Sequence, residues 1–343
     1  MFMKSVIPSE NKVVVKETEK PSLKEGEILV KLKACGICGS DLEKVYGSYG
    51  MVSKRVGHEL AGVVEESKNN KFKKNDRVFV HHHVPCYSCY YCKKEDYILC
   101  EIYQKSNVEP NGLAEFFLVP EHNIEKGGVI KIPDKISFEE ASMIEPLACC
   151  IKAVNKLNVK KDDNIIVIGA GPAGMMNILL LKNLGANVFS IEINDYRMNL
   201  AKKYCRKVIN PQKEDAEKII KNETEDRGAD AVLVAVSSPK AVEQALKLVR
   251  KGGKVMIFGV PPKNSSINVD ANYIFSNEIS ILTSGYSSEK ETNEALKFIS
   301  SGKIDVSSLI THTFRIDEAE KAFDMAHRGE GMKVVIIDNR EKK

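Results

Sequence analysis

Two kinds of hydrophobic patterning divide this chain. Up to about residue 145, short β-branched runs (residues 13–15, 27–32, 61–64 and 77–80) alternate with glycines, prolines and Lys-Asn clusters, and no strong helical period emerges. That pattern predicts a compact, mostly β domain. Beyond Glu145 the rhythm changes: apolar strands are predicted at 164–168, 187–191, 231–235 and 254–258, with helices at 175–184, 196–204 and 241–250 between them. Alternation of this kind predicts an α/β fold, a doubly wound parallel sheet. From about Gly285 the pattern gives two amphipathic helices, near 289–300 and 316–326, and a closing strand at 333–337. Pattern alone does not say which domain this tail completes.

The turn after the first predicted strand carries the first chemical signal. Residues 168–174 read IGAGPAG, so Gly169, Gly171 and Gly174 fill a G-x-G-x-x-G frame, with Pro172 and Ala173 opening a helix. The first glycine permits the tight turn, the second lets a pyrophosphate approach the backbone, and the third lets helix and strand pack closely. Glu192 ends the next strand, where a carboxylate accepts hydrogen bonds from ribose hydroxyls and repels a 2′-phosphate. NAD is therefore expected over NADP, although Arg197 offers a cation near the same place. A glycine turn of some other α/β fold is the alternative.

Composition narrows the classes. The chain has 343 residues, 43% hydrophobic and 29% charged, and its net charge of +4 is dispersed, which gives no footprint for nucleic acid or a membrane surface. The charge-free run 164–181 is broken by three glycines and a proline, so a buried strand and helix explain it better than a membrane span. With no signal-peptide pattern at the start, a cytoplasmic protein is expected.

Nine cysteines in such a chain favour metal binding over disulfides. Cys86, Cys89, Cys92 and Cys100 follow C-x2-C-x2-C-x7-C, a spacing that suits a closed, tetrahedral structural zinc site. The stretch KACGICGSD (33–41) is more ambiguous. Its two cysteines fit a dithiol redox pair, half of a zinc knuckle, or one metal ligand beside a bystander. His58, Glu59 and Glu145 are each ordinary when taken singly. His81, His82 and His83 look like a metal cluster, but three consecutive strand residues point to alternating faces and make poor joint ligands; one of them is expected to line a cleft. Cys149, Cys150 and Cys205 read as packed thiols.

KACGICGSD, GHELAG (57–62), the four-cysteine lobe, IEPLA (144–148) and IGAGPAG together resemble the zinc-dependent medium-chain dehydrogenases, and most closely their polyol branch of sorbitol, galactitol and threonine dehydrogenases. The resemblance spans essentially the whole chain. It implies a GroES-like β domain carrying both zincs (1–147 and 285–343), with a Rossmann-type NAD-binding domain inserted at 148–284. It implies a catalytic zinc on Cys38, His58 and Glu59, with Glu145 a direct ligand or a water-bridged neighbour. Ser40 would relay the proton and Asp41 would orient the loop.

The implied reaction is oxidation of a secondary alcohol, polyol, sugar or hydroxy-amino acid by NAD. Glu43 stands where the family often has histidine, so the proton would leave through Glu43, water or Glu59. Residues 51–56 lack the family's proline before GHE. The strand at 278–282 resembles the edge through which these enzymes dimerise, and tetramers are common among them, so a homo-oligomer is expected. Rival readings are a metal-free quinone reductase of the same superfamily, an NAD-sensing zinc-lobe protein that binds nucleic acid, and a CxxC thiol oxidoreductase.

Overall fold

A computed structural model describes residues 1–47 and 55–338. The part of the proline-free segment at 51–54 lies outside the described residues. The chain forms two compact units, Met1–Ala148 with Tyr286–Lys343, and Cys149–Gly285.

In the first unit the sheet runs in the spatial order Ile310–Arg315, Lys333–Ile337, Ile28–Gly36, Glu59–Ser67, Arg77–His81, Val129–Lys131, and Phe116–Val119 pairs alongside Ile28–Gly36. Pairing is antiparallel except between the first two strands. A separate hairpin joins Phe2–Ser9 to Lys12–Glu19. Val30, Leu60, Leu113, Phe117 and Phe323 fill the core beneath this sheet. Each such side chain contributes roughly 1.5–3 kcal/mol by leaving water.

The tail returns to this sheet. Val335, Ile336 and Ile337 lie opposite Gly36, Cys35 and Ala34, so the closing strand lies beside the CGIC stretch. Its partner strand Ile310–Arg315 was not anticipated, because its half-exposed residues give no apolar run.

Helices were also missed in the first unit. Gly39–Tyr46 begins immediately after Cys38, and at eight residues it is too short to show a period over the usual window. Its start is fixed locally: Asp41 accepts the Cys38 backbone N–H at 3.3 Å, and the buried Asp41 and Val45 set its inner face. Ser137 and Glu140 cap Phe138–Ser142 reciprocally, and Ser288 and Glu291 do the same for Glu289–Ser300.

The second unit is a six-stranded, wholly parallel sheet in the order Lys207–Ile209, Asn187–Ile191, Asn164–Ile168, Ala229–Val234, Val249–Ile257, Ser280–Thr283. Taken in chain order this is 3-2-1-4-5-6, the Rossmann arrangement, with its switch point between Asn164–Ile168 and Ala229–Val234. Helices Pro172–Asn183, Asp195–Ala201, Ala216–Glu223 and Pro239–Leu248 alternate with the strands, and Ile166, Phe189, Val232 and Leu246 belong to its core. The fold is thus a GroES-like β unit together with a Rossmann-type unit. No helix among the described residues is long and apolar enough to cross a membrane.

Candidate active site and metal centres

Cys86, Cys89, Cys92 and Cys100 converge, with all four sulfurs within 4.8 Å of one another. Cys92 Sγ lies 3.5 Å from Cys89 Sγ and 3.8 Å from Cys86 Sγ. Zinc–sulfur bonds of about 2.3 Å in a tetrahedron set sulfurs roughly 3.8 Å apart, so this spacing fits zinc and not a disulfide. The backbone N–H groups of Ser88 and Cys89 point at Cys86 Sγ from 3.4 and 3.3 Å. Hydrogen bonds from Ser88, first its hydroxyl and then its backbone, draw the Cys86 thiol down to about 5, whereas burial and the adjoining thiols push Cys92 up to about 12. Four thiols held this close need a cation before all can ionise together.

The second group is scattered in sequence and joined by the sheet. Cys38 caps the helix Gly39–Tyr46, while His58 and Glu59 lead into the strand Glu59–Ser67, whose first residue faces Gly36. Their ligand atoms, one sulfur, one nitrogen and one oxygen, lie within 4.8 Å of one another. His58 Nδ1 faces Asp41 Oδ1 at 3.3 Å, an arrangement that leaves Nε2 for other chemistry, and Ser40 Oγ lies 3.5 Å from Nε2. Asp41 is fully buried and also accepts the Gly57 N–H at 3.0 Å. Burial works against a charged His58, but Asp41 and Cys38 outweigh it and raise the ring well above the usual histidine range. A metal held by Cys38, His58 and Glu59 would supply the positive charge that the proton otherwise brings to this pocket. Three mixed donors are the number that catalytic zinc sites take from protein.

Sequence reasoning missed Lys333. Its ammonium sits 2.5 Å from Glu59, and both side chains are buried. A Cβ on Gly36 would lie 1.8 Å from Glu59 Oε2 and 2.7 Å from Lys333 Cε, so this pair requires glycine there. Glu145 is buried in the first turn of Ile144–Leu157, and its charge acts on both Glu59 and Lys333. Its carboxylate is not among the three converging donors. Glu43 lies half-buried on the same short helix as Ser40. Cys35 is a core thiol whose Sγ approaches the Gly36 carbonyl at 3.5 Å, and all nine cysteines are free.

The three histidines separate. His81 Nδ1 pairs with Glu289 at 3.0 Å, and Tyr87 donates to the same carboxylate. His83 Nδ1 donates to the Ser106 carbonyl at 2.5 Å. His82 stacks obliquely toward His58, with ring centres 5.0 Å apart.

In the second unit the glycine turn has a shape that could receive a phosphate. Gly169 has φ +93°, and a Cβ on Gly174 would lie 1.9 Å from the Gly169 carbonyl. Pro172 starts the helix and Gly171 caps it without a side chain, which leaves the helix N-terminus open to an anion. The Arg197 guanidinium approaches within 3.6 Å of where a Gly171 Cβ would be. Glu192 directly follows its strand, which ends at Ile191, and both of its carboxylate oxygens are already engaged: Oε2 accepts the backbone N–H of Ala170, and Oε1 those of Ile193 and Asn194, at 2.7–2.9 Å.

Comparison with known proteins agrees with both units. A family model described as the alcohol dehydrogenase GroES-like domain matches residues 24–134, and one described as zinc-binding dehydrogenase matches residues 172–301. Sorbitol dehydrogenase of Bacillus subtilis is 31% identical over 98% of this chain and 97% of its own. L-threonine 3-dehydrogenase of Caldanaerobacter subterraneus subsp. tengcongensis is 36% identical over 93% of each chain. The solved structure of an alcohol dehydrogenase from Thermus sp. ATN1 superposes with TM-score 0.88 at 27% identity, covering 98% of this chain and 100% of that one. On the strength of these matches and the two-unit fold, the chain belongs to the zinc-dependent medium-chain dehydrogenases, in their polyol and threonine dehydrogenase branch.

Proposed function

We propose that this zinc-dependent oxidoreductase oxidises a secondary alcohol, polyol, sugar or hydroxy-amino acid and passes the hydride to NAD. The observation that carries the reading is the convergence of Cys38, His58 and Glu59 with the Ser40 hydroxyl beside them. Cys38, His58 and Glu59 would hold the catalytic zinc, Glu145 would stand behind it, and the four-cysteine lobe would hold a second, structural zinc. When bound, the catalytic zinc supplies Lewis acidity that makes an alcohol easier to deprotonate, and the nicotinamide supplies the hydride acceptor.

The chain's own groups do the remaining work. Asp41 orients the His58 ring, and Lys333 holds the Glu59 carboxylate. Ser40 Oγ, beside His58, would take the substrate proton, and Glu43, one turn further along the helix, would pass it outward. Gly169, Gly171, Pro172, Ala173 and Gly174 would cradle the pyrophosphate, and Glu192 would bind the adenosine ribose. Arg197 keeps open the use of a 2′-phosphorylated cofactor as a lesser activity.

Ser280–Thr283 closes one edge of the parallel sheet with Ile281 exposed, and Phe275 nearby is 82% exposed. Pairing of this edge with a second copy would cover both, which supports a dimer or a tetramer built from dimers. Nine free cysteines, six of them beside or within thiolate sites, suit the reducing cytoplasm.

The decisive experiment loads the purified protein with zinc and follows reduction of NAD and NADP over polyols, aldoses, threonine and simple secondary alcohols, with elemental analysis alongside. Two zincs per chain and alcohol-driven NADH formation are expected. A metal-free preparation that reduces quinones would replace this reading with the quinone reductase one.

A further inference from the structure

The Rossmann-type unit has an open cavity of about 330 Å³ at the end of its sheet remote from the glycine turn. Gly169 follows the strand Asn164–Ile168, whereas Gly228 precedes the adjoining parallel strand Ala229–Val234. Six residues of strand, at about 3.3 Å each, set the two ends roughly 20 Å apart. A pyrophosphate on the glycine turn therefore lies outside this cavity.

The lining combines an apolar floor with a cationic rim. Buried Ile220, Leu248 and Val249 line the floor, and the ring of Tyr273, 38% exposed, forms a flat wall. The Tyr273 hydroxyl donates to the Leu246 carbonyl at 3.2 Å, which fixes that ring. Lys221, Arg227, Lys247 and Lys251 stand round the cavity against one carboxylate, Glu217. Glu217 is engaged by Lys221 at 2.9 Å, and Glu225, outside the lining, comes within 3.6 Å of Arg227. Lys247 and Lys251 have no ion-pair partner among the described residues. Like charges gathered round a concavity make a positive potential that an anion relieves.

Helix ends explain only part of this set. Lys221 and Lys247 stand in the last turns of Ala216–Glu223 and Pro239–Leu248, where a cation answers the helix dipole. Arg227 lies in the turn before Ala229–Val234, and Lys251 lies near the start of Val249–Ile257. The turn that presents Arg227 holds left-handed backbone at Glu225 (φ +52°), Asp226 (φ +60°) and Gly228 (φ +89°). Adjoining non-glycine residues in that region are strained, and such strain gathers where a site uses it.

We propose that this cavity is a second small-molecule site, for a nucleoside phosphate, with the phosphate among Arg227, Lys247 and Lys251 and the base against Tyr273. An arginine fork and two ammoniums suit the oxygens of a phosphate. The flat ring and apolar floor suit a base and offer nothing to the hydroxyls of a sugar phosphate. The volume is at the small end of the range for ligand sites, which suits a mononucleotide. The site is independent of which alcohol the enzyme oxidises.

The test uses the full-length, zinc-loaded protein saturated with NADH, so that the glycine turn is occupied, and titrates AMP by calorimetry. One further AMP per chain is expected, weakened by added salt. Lys247→Ala combined with Lys251→Ala, and separately Tyr273→Leu, should each raise the AMP dissociation constant about ten-fold or more. Tyr273→Phe should stay within about three-fold of the wild type, and NADH binding should stay within about two-fold in every variant. Inorganic phosphate should compete with AMP, and adenosine should bind far more weakly. No AMP uptake by the NADH-saturated protein, or AMP binding that the lysine and leucine variants leave unchanged, overturns the proposal. Adenosine binding as tightly as AMP overturns the assignment of the cations to a phosphate.

Discussion

Lys333 and Glu59, 274 residues apart in the chain, form a buried ion pair with the ammonium 2.5 Å from the carboxylate. Burial works against the charge on Lys333, and the Glu59 carboxylate more than offsets it, holding the ammonium above its usual pKa. Breaking one half of such a pair leaves the other buried and uncompensated, which typically costs about 3–5 kcal/mol. In the zinc-free protein Lys333→Met should therefore destabilise the first unit by about that much in denaturant titrations. Lys333→Met combined with Glu59→Leu should recover most of the loss, since two apolar residues leave no orphaned charge. Additive losses in the double variant would show that the pair is not coupled.

Cys35 and Cys38 part company in the structure. Cys38 is exposed to the other two donors, while Cys35 lies in the apolar core, so serine there would bury a hydroxyl and alanine is the cleaner replacement. Burial, followed by the charges of Asp41 and Glu59, raises the Cys35 thiol well above its usual value, which keeps it unreactive. Cys35→Ala should keep its full zinc content and lose about 1–2 kcal/mol of stability, whereas Cys38→Ser should lose one zinc per chain and essentially all turnover. Loss of activity in the first variant with zinc intact would restore the dithiol interpretation.

The four-cysteine lobe has only a small core of its own, Tyr103 packed with Cys92 and Cys100, so its order is expected to depend on a metal. Cys100→Ser should release one zinc, the one not needed for turnover, and open residues 86–100 to protease while the second unit stays resistant. Limited proteolysis with mass spectrometry reads this directly. Cleavage no faster than in the wild type would mean that the lobe holds together without zinc.

Cofactor choice divides between two side chains. Glu192→Gln should raise the KM for NAD about five- to ten-fold, as one charge-assisted bond to ribose is weakened, and should narrow the gap to NADP. Arg197→Ala should raise the KM for NADP and leave NAD nearly unchanged. Steady-state kinetics with both cofactors decides the assignment; an equal effect of the arginine change on NAD and NADP would place the guanidinium on the pyrophosphate they share instead.

His83 carries a pH prediction. Burial lowers its pKa to about 4, against 6.5 for a free ring. Above about pH 6.5 the ring is neutral whether the chain is folded or unfolded, and it contributes nothing to the pH dependence. Between there and about pH 4 the unfolded ring takes up a proton that the folded ring refuses, so stability falls with pH by up to about 1.4 kcal/mol per unit from this group. His83→Gln should remove this dependence, so the wild-type-minus-variant stability difference should shrink steadily as pH falls through that window, measured by urea titration at successive pH values. A difference that does not change with pH would mean the ring is already charged in the fold.

How much of this was legible in sequence depended on range. The glycine turn and the four cysteines are local devices: Gly169 to Gly174 and Cys86 to Cys100 each work within fifteen residues, so spacing alone conveyed their chemistry. The Rossmann strands were legible because buried parallel strands read as continuous apolar runs. The second donor group was legible only through resemblance, since Cys38 and His58 meet by sheet pairing that no spacing rule encodes. Lys333 was illegible even so: a lysine opening an apolar strand looks like a solvated edge until the fold sets it on a buried carboxylate. The Asp41 contact to His58 needed the unrecognised helix Gly39–Tyr46.

The place of Lys333 also bears on how the enzyme is made. Glu59 leaves the ribosome early, and its counter-charge follows 274 residues later, after the whole Rossmann-type unit has been translated. The inserted unit can fold as it emerges, but the first sheet waits for Ile310–Arg315 and Lys333–Ile337 before its central strand is covered. During synthesis the sheet that carries Cys38, His58 and Glu59 is therefore the last to be completed, and a metal at that group would be held only by a nearly finished chain, whereas the four-cysteine lobe needs nothing beyond Cys100.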